Sequence, residues 1–258
     1  MIIDSYAYSS KIKNQVPKNK IFFGTIPLFI VIGANSFSAS MIILIIMSIM
    51  SLKCTNITFK KYLKLLSLPT GFLIIGVLTI IITKHDYGIP VLFGITIKDS
   101  VYGVDKASII YGSNLMLRAL AAVSCMYFMS LTTPMNDVLF TLRKLKISAV
   151  IISLMELIYR YIFVLLEEAG KIKTAQASRL GYINLKTSIK SIGTLLAMLF
   201  LRTYIRCDNV YAALESRGYD GEFKTIYKEY ENDYKWIIAT IVLSVILVVI
   251  SILERRFY

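Results

Sequence analysis

Two long helical patterns end on nearly the same motif, Ser178-Arg179-Leu180-Gly181-Tyr182 in the first and Ser216-Arg217-Gly218-Tyr219 in the second. A glycine just after a helix is typical of a C-terminus that closes with one residue in the left-handed conformation. We therefore expect the glycine to close each helix and the arginine to project from its last turn. One such motif is an ordinary way for a helix to stop, but two in one chain indicate a paired interaction surface that offers two guanidinium groups to carboxylates.

The composition is that of a membrane protein. Of the 258 residues, 56% are hydrophobic, which leaves too little polar surface for a soluble domain of this size. The net charge of +13 comes from Lys and Arg residues that lie between apolar segments, so it indicates anionic lipid and an acidic protein partner rather than nucleic acid. Cys54, Cys125, Cys207 and His85 lack the spacing of a metal site or a disulfide framework, and no phosphate-binding or dinucleotide-binding motif is present.

Five segments are apolar enough to cross a membrane, and the charges between them predict their direction. The segments are residues 21–32, 37–52, 65–83, 110–131 and 236–253. Lysines flank the first two segments at Lys20 and at Lys53, which predicts a hairpin with both ends, and the N-terminus, in the cytoplasm. Residues 84–109 have balanced charge and predict an external loop. By parity, the C-terminal Glu254-Arg255-Arg256 then lies outside.

Between the fourth and the last span the pattern changes to amphipathic helices. We predict a short helix at residues 135–146 and two long helices at residues 148–180 and 187–217. The first long helix carries pairs of opposite charge four residues apart, Glu156 with Arg160 and Glu167 with Lys171. Carboxylates at this density disfavour burial in lipid, so we expect these helices at the inner membrane face or in the cytosol.

The predicted fold is therefore an all-α membrane protein of about five transmembrane helices and a cytosolic or interfacial coupling domain of one short and two long amphipathic helices. Its predicted divisions are residues 1–133, with transmembrane helices 1–4, residues 134–233, with the coupling helices, and residues 234–258, with the last transmembrane helix. Arg118 lies inside the fourth span, and we interpret it as a structural residue of the bundle interior.

Several short stretches carry a resemblance to a known family. They are Asp4 with Ala7 and Ser9, Pro17 with Lys20, Arg118-Ala119-Leu120, Leu131-Thr132-Thr133-Pro134, Tyr159-Arg160-Tyr161, Ala175-Gln176-Ala177-Ser178-Arg179 and Glu215-Ser216-Arg217-Gly218. In these stretches the chain resembles the transmembrane coupling subunit, or T component, of energy-coupling-factor transporters, and especially the permease of the cobalt/nickel branch. That family often has Ala-Arg-Gly at both arginine motifs. The extra leucine in the first motif of this chain predicts a weaker helix cap there.

The resemblance implies a non-catalytic subunit that joins two ABC ATPase subunits to a membrane-embedded substrate-binding S component, in a transporter for cobalt or nickel ions. The implied ATPase-binding residues are Ser178, Arg179 and Leu180 in the first motif and Ser216, Arg217 and Gly218 in the second. The resemblance also implies a multi-pass protein of a prokaryotic cytoplasmic membrane that contacts lipid. Such a subunit binds neither ATP nor substrate and uses no cofactor, metal, catalytic residue or nucleic acid.

Three other functions stay open at this point. A T component shared among several vitamin-specific S components fits the same pattern, because specificity would lie on another polypeptide. A membrane-embedded transferase would need convergent polar groups near the membrane face, and this sequence offers one histidine and scattered acids. A secondary carrier would show repeated, interrupted spans around a midplane site, whereas the repeat in this chain falls in the predicted coupling region.

Overall fold

Helices make up most of the fold in the computed structural model of the protein, which describes residues 2–85, 93–97, 100–145, 147–219, 230 and 234–257. The helices in this part of the chain are α1 (Ile2–Tyr8), α2 (Pro17–Ala34), α3 (Phe37–Cys54), α4 (Phe59–Ile81), α5 (Lys106–Thr132), α6 (Met135–Lys144), α7 (Ala149–Ser178), α8 (Leu185–Glu215) and α9 (Lys235–Phe257). Three short strands lie between α4 and α5: β1 (Ile82–His85), β2 (Phe93–Ile97) and β3 (Ser100–Val104).

Among the described helices, six are long and apolar enough to cross a membrane, namely α3, α4, α5, α7, α8 and α9. This finding confirms the predicted class, an all-α membrane protein. By length and composition, α7 and α8 could also cross a membrane, although the sequence predicted that they lie at the inner face or in the cytosol. The first turn of α2 holds Lys18, Asn19 and Lys20, so only the later part of that helix is apolar. The count of five spans and the side of each loop stay predictions.

The chain forms two compact units. The first comprises Met1–Val138 and Glu229–Tyr258, and the second comprises Leu139–Lys228. The second unit is thus an insertion in the sequence of the first. The functional division predicted at residues 134–233 stays a prediction, because compactness alone does not say what either unit does.

The core of the first unit forms around α5, which packs against α1, α2, α3 and α4, while α9 packs against α2 and α3. Small side chains on α5, such as Ala121 and Cys125, are buried and let the neighbouring helices approach closely. The ring of Phe23 on α2 lies edge-on to Phe128, at 5.3 Å between centroids, and edge-on to Trp236, at 5.1 Å. These rings join α2, α5 and α9 into one apolar core.

The predicted break between α2 and α3 is confirmed, whereas a membrane hairpin with both ends in the cytoplasm stays a prediction. Asn35 ends α2 in the left-handed conformation with φ 51°, and the Ser36 side chain accepts a hydrogen bond from the Ala39 N–H at the start of α3. Asparagine is more favourable than an apolar residue in the left-handed conformation, and serine is more favourable than an apolar residue at the start of a helix. The Arg118 guanidinium of α5 donates to the Asn35 side chain. This contact supports a structural role for Arg118.

The helix of the third span is longer than its apolar segment, and the expectation of a loop after it was wrong. The helix begins at Phe59, before the apolar segment that starts at residue 65, because lysine is a good helix former and Lys60, Lys61 and Lys64 extend the helix. The predicted loop of residues 84–109 instead contains an antiparallel sheet in the order β1-β3-β2, with Val104 of β3 opposite Ile82 and opposite Phe93. Its β-branched residues favour strands, and the sequence analysis considered only its charges.

Pro69 lies in the interior of α4, where a proline removes one hydrogen bond of the helix. The carbonyl that loses its donor is that of Leu65, four residues earlier. The Tyr127 hydroxyl of α5 donates to this carbonyl at 2.9 Å. The contact between α4 and α5 thus satisfies a backbone group that would otherwise lack a partner in an apolar environment.

At Gly112, α5 lies close to α4. A Cβ added there would lie 2.8 Å from Ile81 Cγ1, whereas one added at Gly24 would lie 3.5 Å from Met129 Cβ, an ordinary contact. We expect Gly112→Ala to lower the free energy of unfolding by about 1 kcal/mol, because the overlap costs about 1–3 kcal/mol and the better helix propensity offsets part of it. Gly24→Ala should leave stability unchanged or raise it. Thermal unfolding in detergent measures both, and equal effects would contradict this account.

Candidate functional site

In the second unit, α7 and α8 form an antiparallel hairpin. Three contacts join them: the Arg206 guanidinium lies 5.4 Å from the centre of the Tyr161 ring, Arg202 donates to Glu168 at 2.6 Å, and the Gln176 side chain donates to the Ser191 carbonyl at 2.9 Å. Residue numbers rise along α7 as they fall along α8, so the helices run in opposite directions. The turn of residues 179–184 therefore closes one end of the hairpin.

The first arginine motif ends α7 in a Schellman motif. The Leu180 N–H donates to the Ala177 carbonyl at 3.0 Å, and the Gly181 N–H donates to the Gln176 carbonyl at 2.9 Å. This pair of bonds defines the motif and requires a left-handed residue between them. That residue is Leu180, with φ 60°. The expectation that Gly181 closes this helix was therefore wrong.

The second arginine motif ends α8 with the same pair of bonds. The Gly218 N–H donates to the Glu215 carbonyl at 3.0 Å, and the Tyr219 N–H donates to the Leu214 carbonyl at 3.0 Å. Here the left-handed residue is Gly218, with φ 69°, as predicted. Arg179 and Arg217 therefore occupy equivalent positions, each directly before the left-handed residue.

The first cap keeps both of its hydrogen bonds despite the extra leucine, and Gly181 has a different task. The Ser191 hydroxyl of α8 donates to the Gly181 carbonyl at 2.8 Å, and a Cβ on residue 181 would lie 2.7 Å from that hydroxyl oxygen and 2.9 Å from the Gln176 carbonyl oxygen. Glycine is needed there for a close approach to α8. Leu180 takes the left-handed conformation at a cost of about 1–2 kcal/mol.

The six predicted site residues form two groups of three. The Ser178 and Ser216 hydroxyls each donate to a carbonyl of their own helix, at 3.1 Å and 3.0 Å, and so contribute to the helix ends. The side chains of Arg179 and Arg217 are exposed, and neither guanidinium has a hydrogen bond or ion pair with another described residue. Arg179 lies before the start of α8 and Arg217 after its end, so α8, which is about 46 Å long at 1.5 Å per residue, separates them.

The role of the residues that hold the first motif was not predicted from the sequence. Gln176 donates to the Ser191 carbonyl and accepts from the Tyr182 hydroxyl at 2.7 Å, so its amide joins α7, the turn and α8. Gln176 and Tyr182 were visible beside the motif, but nothing local identified Ser191. These contacts fix the direction in which the chain leaves α7 and with it the position of Arg179.

Ion pairs on α7 agree only in part with the predicted spacing. Lys171 pairs with Glu167 at 2.9 Å, as predicted, and also with Glu168 at 3.3 Å. Glu156, however, pairs with Arg143 of α6 at 3.4 Å rather than with Arg160. The pair therefore joins α6 to α7, a tertiary contact that spacing along one helix cannot indicate.

Within the described ranges, no three His, Cys, Asp or Glu side chains gather as a metal ion would require. Cys54 and Cys125 are buried, and Cys207 is exposed. The exposed cysteine matters for labelling experiments, since it would react with thiol reagents.

We expect Gly181→Ala to disturb the first motif alone. The added methyl group must displace either the Ser191 hydroxyl or the Gln176 carbonyl, at a cost of about 1–3 kcal/mol, whereas Gly193→Ala on α8 meets nothing within 4 Å. Hydrogen exchange should therefore become faster at the amides of residues 180 and 181 in the first variant and stay unchanged in the second. Unchanged exchange in both variants would contradict the close packing.

Sequence comparisons find relatives along nearly the whole chain. A family described as cobalt transport protein, CbiQ, matches residues 9–227. An uncharacterised protein of Methanocaldococcus jannaschii is 36% identical over 256 residues, which are 99% of this chain and 94% of the relative. The cobalt transport protein CbiQ of Salmonella typhimurium is 25% identical over 221 residues, 86% of this chain and 98% of the relative. The energy-coupling factor transporter transmembrane protein EcfT of Bacillus subtilis is 28% identical over 266 residues, which cover 96% of this chain and 97% of the relative.

Proposed function

Because this chain belongs to the cobalt transport protein family, we propose that it is the non-catalytic membrane-embedded coupling subunit of an ATP-driven micronutrient uptake transporter of the energy-coupling-factor type. It is a multi-pass membrane protein and a transport component. In the proposed role it transmits the motions of two ABC ATPase subunits to a substrate-binding S component. The proposed cargo is cobalt or nickel ions, and the ATPases supply the hydrolysis.

The observation that carries this proposal is the equivalence of the two arginine motifs. A subunit that serves two similar ATPases needs two similar attachment points, and α7 and α8 each end in the same hydrogen-bonded turn with an exposed arginine. A guanidinium can make two parallel hydrogen bonds to a carboxylate. We propose that Ser178, Arg179 and Leu180 bind one ATPase and that Ser216, Arg217 and Gly218 bind the other.

Purification of the tagged chain from its own host in mild detergent tests the proposal. We expect two ATPase subunits and one small membrane protein to co-purify, and we expect the complex to take up substrate only when ATP is supplied. The chain alone, reconstituted in vesicles, is the control and should show no uptake. Full uptake by the chain alone would overturn the coupling role.

A T component shared among vitamin-specific S components is the second candidate. It is supported by the relatives named energy-coupling factor transporter transmembrane protein, which include those of Bacillus subtilis and Staphylococcus aureus. Uptake of labelled cobalt and nickel by cells that lack this chain separates the two candidates. A loss of metal uptake supports the first, and unchanged uptake of both metals removes it.

We further propose that residues 134–233 lie on the cytosolic side, as the N-terminus does. In a Cys207→Ser background, which removes the exposed thiol, a cysteine at the exposed position Lys171 should react with a membrane-impermeant reagent only when the inner face is open. Lys224, which lies outside the described residues, offers a second labelling position. Labelling of either cysteine from outside intact cells would overturn this topology, as would protection of Lys171→Cys from both sides.

A further inference from the structure

A buried charge lies in the first unit, at the start of α2. The Lys20 side chain has no exposed surface, and its Nζ donates to the Ile12 carbonyl at 3.2 Å and pairs with Asp137 Oδ2 at 3.6 Å. The Tyr230 hydroxyl donates to the other oxygen of the same carboxylate, Asp137 Oδ1, at 2.9 Å. Three segments that are far apart in the sequence, those of Lys20, Asp137 and Tyr230, thus meet at one carboxylate.

The position of this network in the chain is the main observation. The chain leaves the first unit after Val138 and returns to it at Glu229. Asp137 precedes the departure by one residue, and Tyr230 follows the return by one residue. Their hydrogen bond therefore joins the two connections of the inserted second unit, and Lys20 attaches both to α2, which packs against α5 and α9.

The chemistry of the network suits a permanent attachment. A lysine without exposed surface keeps its charge only beside a counter-charge, which Asp137 supplies. Burial of the phenol, together with its hydrogen bond to Asp137 and the charge of that carboxylate, raises the pKa of Tyr230 well above its usual value. Tyr230 therefore stays protonated, and able to donate, throughout the physiological pH range.

We propose that Lys20, Asp137 and Tyr230 are positioning residues that hold both connections of the second unit against α2, so that motion of that unit reaches the membrane helices. The role of these residues in transport rests on the proposed coupling function, whereas the attachment itself does not depend on that function. Without the attachment, the second unit moves relative to the first with less consequence for the membrane helices. ATP is then hydrolysed with less transport.

Tyr230→Phe is the first test, because it removes the link between the two connections and leaves the Lys20–Asp137 charge pair in place. The matched control is Tyr127→Phe, which removes a hydrogen bond of the same length, 2.9 Å, to the Leu65 carbonyl in the same unit but away from the connections. In the reconstituted transporter we expect Tyr230→Phe to retain ATPase subunits and ATP hydrolysis while substrate transported per ATP falls about three- to tenfold. An unchanged ratio, or an equal fall in Tyr127→Phe, overturns the proposal.

The double variant Lys20→Met with Asp137→Leu separates positioning from stability. It replaces a buried ion pair by apolar side chains, a change that folded proteins often tolerate, and it leaves Tyr230 without its acceptor. We expect normal assembly with reduced transport per ATP. Normal assembly with normal transport per ATP would show that the pair serves stability alone and would overturn the positioning role.

A third measurement needs no ATPase, so it also tests the attachment if the proposed function fails. Spin labels on Lys60→Cys in the first unit and Lys173→Cys in the second, both at exposed positions in a Cys207→Ser background, report the spread of distances between the units. Tyr230→Phe should broaden that distribution, and Tyr127→Phe should not. Distance distributions of equal width in wild type and Tyr230→Phe would exclude the attachment. If the chain binds no ATPase but the distribution is broader in Tyr230→Phe, the attachment is supported and only the coupling role is rejected.

Discussion

We expect that changing both Arg179 and Arg217 to alanine abolishes co-purification of the proposed ATPase partners and that either change alone weakens it strongly. Each guanidinium is exposed in the isolated chain and is expected to become buried against a carboxylate in the complex. Truncation then leaves that carboxylate unpaired in the interface, at a cost of about 2–5 kcal/mol for each motif. The measurement is the amount of ATPase bound per chain, together with ATP-driven uptake.

Lysine replacements separate this account from an ordinary helix-end charge. Arg179→Lys and Arg217→Lys should rescue binding only in part, because an ammonium cannot make the planar, bidentate contact. A charge that only complements a helix end is worth about 0.3–1 kcal/mol and would tolerate lysine. Lys186→Ala, which removes an exposed positive charge in the first turn of α8, is the matched control and should bind normally. Near wild-type binding by the double alanine variant would exclude the proposed role of both motifs.

Asp137→Leu should lower the free energy of unfolding by about 3–5 kcal/mol, since it leaves the fully buried Lys20 without its counter-charge. For a chain of this size, this corresponds to a decrease of about 10 °C in the melting temperature. Adding Lys20→Met removes the unpaired charge and should restore most of the stability. Thermal unfolding in detergent measures all three proteins. Equal melting temperatures for the single variant and wild type would contradict a stabilising role of Asp137 beside Lys20.

Features with a local cause could be predicted from the sequence. The break between α2 and α3 follows from a short polar stretch in an apolar run too long for one crossing, and Asn35 and Ser36 form it. The start of α6 at Met135 follows from Pro134 and from an acidic residue in the first turn. The two arginine motifs were found in the same way, because helix-closing signals are contained in a few consecutive residues.

Features that depend on contacts between distant segments could not be predicted. The glycine after Arg179 indicated a left-handed residue, but only the packing of Ser191 against the Gly181 carbonyl shows why that conformation moves to Leu180. Similarly, Lys20 and Asp137 each had a sufficient local explanation. Lys20 could be explained as a lysine that flanks the first apolar segment, and Asp137 as an acidic residue in the first turn of α6. Their pairing is visible only when α2 and α6 are placed side by side.

The leucine at position 180 also gives the two proposed attachment points different chemical identities. Their backbones match, but the first presents an apolar side chain that is 66% exposed beside its arginine, and the second presents a bare glycine. A surface with a small apolar recess complements the first, and a flat surface that approaches the backbone complements the second. If the proposed complex contains two different ATPases, this asymmetry would assign each ATPase to its own end of α8.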